Sequence, residues 1–200
     1  MTTNIDCVIF DLGGVLIELD GPPVSTQLSD LTEPEIWRRW LYSTAVRDFE
    51  SGKCTALEFA EALVLEFKLE QTPEAFLDDF DQWPKGVFVG AEALLANLKP
   101  RTQLACLSNT NQLHWDRFGQ THHLLEHFDQ VFASFLTGYL KPDKSAFEHT
   151  ISGLDMAPSR LLFLDDNAVN VDAARNSGMQ AELTRGPSEA SVHLKRYGLL

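Results

Sequence analysis

The chain has 200 residues, 44% hydrophobic and 22% charged, a balance that supports one good buried core and excludes wholesale disorder. Sixteen Lys and Arg stand against 29 Asp and Glu, a formal net charge of −13, which argues against nucleic acid or an anionic membrane surface as a partner because both need a basic footprint. Any anion-binding site on so acidic a chain must draw positive charge from a metal, a specific lysine or helix N-termini.

Met1 to Asp6 carries no basic segment, and no stretch approaches the ~20 apolar residues that span a bilayer. Cys7, Cys54 and Cys106 lack metal-ligand spacing, and Cys7 and Cys106 sit in short apolar runs, as core residues in a reducing compartment do. The expectation is a cytoplasmic protein with no membrane partner, a monomer or a homodimer.

Ile5 to Phe10 is a short apolar run ending at Asp11-Leu12-Gly13-Gly14, the pattern of a buried parallel strand entering a glycine-permitted turn. After Asp20-Gly21-Pro22-Pro23 the texture changes. From Glu33 to about Trp83 apolar residues recur at three and four, as in Ile36, Trp37, Trp40 and Leu41, then Phe59, Ala60, Leu63 and Phe67. Thr55 with Glu58 fits a capping box, and Thr72 precedes another helical pattern. No strand is evident there, so residues 20–85 read as a compact helical insert. Trp37, Trp40, Phe59, Phe67 and Phe76 read as its core. The segment Phe49 to Lys53 interrupts its helices, either facing a crevice or merely connecting.

Trp83-Pro84-Lys85-Gly86 closes the insert. A helix is expected over Ala91–Leu98, then strands over Gln103–Leu107, ending in Ser108-Asn109-Thr110-Asn111, and over Val131–Leu136. Lys141-Pro142 follows, with a helix from near Asp143. Arg160–Leu164 is a fourth strand ending in Asp165-Asp166-Asn167. A helix over Val169–Ser177 stops at Gly178, and a strand over Met179–Thr184 and a helix over Ser188–Tyr197 complete the chain. His114 reads as a helix-face histidine without an identifiable partner, and His122, His123 and His127 as solvated.

Strands alternating with helices predict an α/β fold with a parallel sheet. Asp11, Ser108 and the Asp165–Asp166 pair fall just past the carboxyl ends of strands and Lys141 in a loop soon after one, the edge where open α/β sheets bind ligands. Three crowded carboxylates repel one another unless a hard cation lies between them, and Mg²⁺ suits one or two carboxylates plus a substrate phosphate. Ser108 and Lys141 complete an anion pocket, and Asp11 is placed to attack phosphorus.

Phe10-Asp11-Leu-Gly-Gly-Val15, Leu107-Ser108-Asn-Thr-Asn111, Lys141-Pro142 and Phe163-Leu-Asp-Asp-Asn167 resemble, in order, the four motifs of the haloacid dehalogenase-like superfamily. The resemblance covers residues 5 to about 178 and is closest to the branch containing α-glucose-1-phosphate phosphatase. It implies a Rossmann-like core domain from residues 1–19 and 86–200, with 20–85 a helical cap of the C1 type. It further implies an Asp11 nucleophile; Mg²⁺ held by Asp11, the Gly13 carbonyl and Asp166, with Asp165 either binding or behind; and a phosphoryl group held by Ser108, the amide of Asn109 and Lys141. The substrate it implies is a small phosphorylated metabolite, with sugar phosphates favoured.

The family's first motif usually reads Asp-x-Asp, the second Asp serving as general acid and base. Here that position is Gly13. Glu18, Asp20 and Glu50 of the insert are candidate substitutes. Two other functions stay open: halide displacement from a 2-haloacid, and a catalytically weak protein that binds a phosphorylated ligand or a partner. Phosphonate cleavage would need a Schiff-base lysine, for which Lys53 and Lys68 are candidates.

Overall fold

The computed structural model describes residues 4–25, 30–121 and 123–200. Strand β1 (Cys7–Phe10) is central in a five-stranded sheet of order β5-β4-β1-β6-β7, in which every pairing is parallel. The other members are β4 (Gln103–Ser108), β5 (Gln130–Ala133), β6 (Leu161–Asp165) and β7 (Gln180–Leu183). All four residues of β1 are inaccessible to solvent, which explains its unbroken apolar run: both faces are covered. Val8 and Phe10 point to the face packed by α5 (Ala91–Leu98) and α10 (Gly186–Arg196). Cys7 and Ile9 point to the other face, against α8 (Lys144–Leu154) and α9 (Ala168–Asn176). From β1 the chain runs outward to β4 and β5 on one side, then crosses back to β6 and β7 on the other. The sheet therefore has its switch point at the carboxyl end of β1, where such sheets open a crevice.

Before α5, four helices among the described residues form the insert after β1: α1 (Glu33–Tyr42), α2 (Thr44–Glu50), α3 (Ala56–Phe67) and α4 (Pro73–Gln82). They enclose their own core of Ile36, Trp40, Phe49, Phe59, Phe76 and Phe80 with their neighbours, Phe49 and Phe59 stacking at 4.4 Å between ring centres. Thr55 and Glu58 form the capping box, Glu58 accepting from the Thr55 amide at 2.8 Å.

Four local features differ from the sequence expectation. β2 (Ile17–Leu19) and β3 (Pro84–Val87) pair antiparallel at the stem of the helical unit. Neither has a strand-like pattern alone, because β3 carries Pro84 and Gly86 and exists through its partner. The run Val131–Leu136 is strand only to Ala133, where its ladder with β4 ends at Ser108. Ser134 then exchanges hydrogen bonds with the backbone of Thr110, and the chain turns into α7 (Ser134–Thr137). Finally, Ser108 and Asp165 are the last residues of their strands rather than the first beyond them. A helix not expected as a unit, α6 (Gln112–Thr121), follows β4. Among the described residues no helix is long and apolar enough to cross a membrane.

Candidate active site

Asp11 is the first residue past β1, its amide donating to the Leu164 carbonyl of β6 at 2.9 Å and its Oδ1 accepting from the Leu12 amide at 2.7 Å. Lys141 Nζ lies 3.0 Å from Asp11 Oδ2 and 2.6 Å from Asp165 Oδ2, and its side chain is 1% exposed. Asp165 is fully engaged: it also accepts from the Asn167 amide at 2.8 Å and from Asn170 Nδ2 at 3.0 and 3.1 Å. Asp166, by contrast, receives no side-chain donor among the described residues. One ligand atom each from Asp11, Asp165 and Asp166 lies within 4.8 Å of the others, the one such acidic group among the described residues.

The electrostatics follow from this crowding. Burial pushes the Asp11 carboxyl up to about 7; Lys141 opposes the shift, and Asp165 and Asp166 add to it. Burial and then Asp165 raise Asp166 to about 6. Burial works against the charge of Lys141, but Asp11 and Asp165 outweigh it and hold its pKa above the ordinary lysine value. One ammonium against three carboxylates leaves two negative charges, which a divalent cation offsets. The donor set fits Mg²⁺: Asp166 receives no side-chain donor among the described residues, each Asp11 oxygen carries one donor and keeps a second lone pair, and the Asp165 oxygens are shared among Lys141, Asn167 and Asn170.

The remaining sequence-derived residues are close by. Gly13 borders the same cavity, and Gly14, at φ +71°, packs so tightly on Asp166 that a Cβ there would collide with its carboxylate. Ser108 is 3% exposed, its nearest protein acceptor being the Asn109 carbonyl at 3.5 Å. The Asn109 side chain clasps the Lys141 backbone from both sides, accepting from its amide and donating to its carbonyl, each at 2.9 Å. That positioning duty, like the clamp of Asn170 on Asp165, was not found from sequence. Asn in a turn is generic chemistry, although Asn170 does fall inside the motif Asp-Asp-Asn-x-x-Asn.

A cavity of about 610 Å³ opens over these residues, its far wall formed by α1 and α2. Trp37 is 38% exposed and lines it with Leu41 and Tyr42, so this tryptophan is not part of the insert's core, as its spacing had suggested. Of the candidate acids, Glu18 is exposed on β2 and Asp20 is exposed and paired with Lys85 at 2.5 Å, whereas Glu50 of α2 lines the cavity. Lys53 and Lys68 are exposed and outside the cavity lining, which leaves phosphonate cleavage without its lysine.

His114 has partners after all: its Nε2 donates to the Phe80 carbonyl of α4 at 2.8 Å, and its Nδ1 faces Asn111 Nδ2 at 3.2 Å. It ties α6 to the helical unit. His123 pairs with Glu126 in solvent at 2.8 Å, and His122 lies outside the described residues.

The family model for haloacid dehalogenase-like hydrolases matches residues 5–178. A sesquiterpene phosphatase from Aspergillus oryzae is 29% identical over 90% of this chain and 89% of its own length. A D-ribitol-5-phosphate phosphatase from Bacteroides thetaiotaomicron is 25% identical over 86% of this chain and 88% of its own. The fold is shared with a Bacteroides thetaiotaomicron enzyme solved with magnesium and inorganic phosphate, at a TM-score of 0.73 and 21% identity, covering 90% of this chain and 93% of that one.

Proposed function

The chain belongs to the haloacid dehalogenase-like hydrolase family and is a hydrolase of phosphoric monoesters, and from that premise we propose that Asp11 is its nucleophile, in a Mg²⁺-dependent phosphatase reaction. One observation carries the reading. The carboxylates of Asp11, Asp165 and Asp166 converge within 4.8 Å of one another, and the buried Lys141 ammonium pairs with Asp11 and Asp165 beside them.

Asp11, Asp166 and the Gly13 carbonyl would hold Mg²⁺, which when bound would supply Lewis acidity toward the phosphoryl oxygens and offset their charge. Asp165 stays behind it and orients Lys141. Lys141, the Ser108 hydroxyl and the Asn109 amide bind the remaining phosphoryl oxygens, as charge-stabilising groups do around a transferring phosphoryl. Asp11 attacks phosphorus in line with the departing alcohol, and water then hydrolyses the aspartyl-phosphate. The helical unit of residues 20–85 acts as a cap: its α1 and α2 close the cavity, exclude bulk water and touch the leaving group.

The substrate is a small phosphorylated metabolite. A sugar phosphate is supported by the polar groups around the cavity, Arg38, Arg47, Asn167 and Arg185, and by the relative that acts on D-ribitol 5-phosphate. A second reading, the phosphate of an apolar alcohol, is favoured by the wall of Leu19, Trp37, Leu41, Tyr42 and Leu140 and by the sesquiterpene phosphatase relative. The crowded acids speak against halide displacement, which needs no metal.

The test is hydrolysis of p-nitrophenyl phosphate with Mg²⁺ and with EDTA, followed by a panel including D-ribitol 5-phosphate, glucose 1-phosphate and farnesyl phosphate. Magnesium-dependent turnover lost in Asp11→Asn supports the proposal, and the panel chooses between the two substrate classes. Equal activity in EDTA, or silence on every ester, refutes it.

A further inference from the structure

We propose that Glu50, carried by the helical unit, is the general acid and base that residue 13 cannot supply; the inference deepens the phosphatase reading and rests on it. Residue 13 is glycine and carries no side chain, and the space beside it is tight, since a Cβ there would lie 3.3 Å from Leu19 Cδ1. The proton donor must therefore approach from another direction. Glu50 is half-buried at the carboxyl end of α2 and lines both the main cavity, with Asp11, Lys141 and Asp166, and the narrow one beneath it, with Gly13 and Ser108. Its carboxyl group takes part in no hydrogen bond or ion pair among the described residues, unlike Asp165, and so is free to act on a ligand.

The core holds α2 on either side of this residue. Arg47 reaches Asp143 at 2.5 Å, and the turn after Glu50 rests on α7. There Gly52, at φ +72°, comes so close that a Cβ would lie 2.6 Å from the Phe135 carbonyl oxygen. These two contacts bracket Glu50 in the wall of the cavity that Asp11 also lines.

Burial pushes the Glu50 carboxyl up to about 7, Lys141 and Arg47 opposing the shift and Asp11 adding to it. Asp166 and Arg185, from other elements, complete the charges around the cavity. A group so tuned is protonated in a useful fraction near neutral pH.

The proton balance closes over two steps. As Asp11 bonds to phosphorus, the P–O bond to the alcohol breaks with its electron pair on oxygen, and Glu50 gives that oxygen its proton. Water then attacks the aspartyl-phosphate, passes its proton to the Glu50 carboxylate and releases Asp11, which restores the starting enzyme.

The experiment compares kcat/KM of the full chain, Glu50→Gln and Glu50→Asp on p-nitrophenyl phosphate and phenyl phosphate with Mg²⁺. p-Nitrophenolate leaves without a proton, whereas phenolate needs one. Glu50→Gln should lose ~100-fold or more on phenyl phosphate and less than ~10-fold on p-nitrophenyl phosphate. Glu50→Asp, which keeps the carboxyl group, should recover part of the loss, and the acid-requiring limb of the pH profile should vanish in Glu50→Gln alone. Equal losses on both esters, or none, overturn the assignment while leaving the phosphatase reading intact. A wild-type chain inert on both esters defeats that reading and this inference together.

Discussion

Leu19 fills the space into which any side chain at Gly13 would grow, a Cβ there lying 3.3 Å from Leu19 Cδ1. An acid installed at position 13 therefore requires the Leu19 side chain to give by a few tenths of an ångström. Gly13→Asp should lower activity on phenyl phosphate and cost about 1–3 kcal/mol of stability through overpacking. Adding Leu19→Ala should recover activity relative to Gly13→Asp alone. Steady-state kinetics and urea melts on the two variants check this.

Gly14→Ala should damage metal binding rather than folding alone. The residue has φ +71°, and its Cβ would press on the Asp166 carboxylate. The Mg²⁺ concentration giving half-maximal rate should rise by ~10–100-fold, the range seen when a ligand's support is lost. A magnesium titration of activity shows it.

Asp165 and Lys141 form a pair from which solvent is almost wholly excluded, at 2.6 Å. Asp165→Asn leaves the ammonium with Asp11 as its one carboxylate partner, and removing one member of a buried pair costs about 3–5 kcal/mol. Asn170 loses one of its two acceptor oxygens as well, because asparagine keeps a single carbonyl. Urea denaturation should place the variant near the lower end of that range, because Asp11 remains.

His114 links α6 to α4 and is held neutral, since burial lowers it from 6.5 to about 4 while its bond to the Phe80 carbonyl opposes the shift. Its folded pKa lies below its unfolded one, so below pH 6.5 the unfolded chain binds more protons. Its contribution is intact above pH 6.5, falls as pH drops toward 4 and then levels off, a change of about 3 kcal/mol. A His114→Gln variant should show a flatter stability profile over that window, by chemical denaturation at a series of pH values.

The central sheet and the acids at its edge were legible because a strand covered on both faces is an uninterrupted apolar run, and polar residues after such runs mark its rim. Asp11, Ser108, Lys141, Asp165 and Asp166 all stand out in this way. The helical unit was legible from the spacing of Ile36, Trp40, Phe59 and Leu63. What escaped depends on contacts between distant segments. Neither β2 nor β3 has a pattern without the other. The partner of His114 lies 34 residues upstream, in the last helix of the insert. Leu19 carries no signal of its own in the sequence until Gly13 is seen beside it. The reach of Glu50 into the cavity depends on how α2 docks on the core, which periodicity does not encode.

The covalent step at Asp11 is tested most directly by quenching the enzyme with acid during turnover of p-nitrophenyl phosphate in Mg²⁺ and mapping the phosphoryl group by mass spectrometry. A hydroxylamine-sensitive phosphoryl on the carboxyl of Asp11, lost on chelation, is the expected result. Continued turnover with Asp11 unmodified, or in Asp11→Asn, would contradict it.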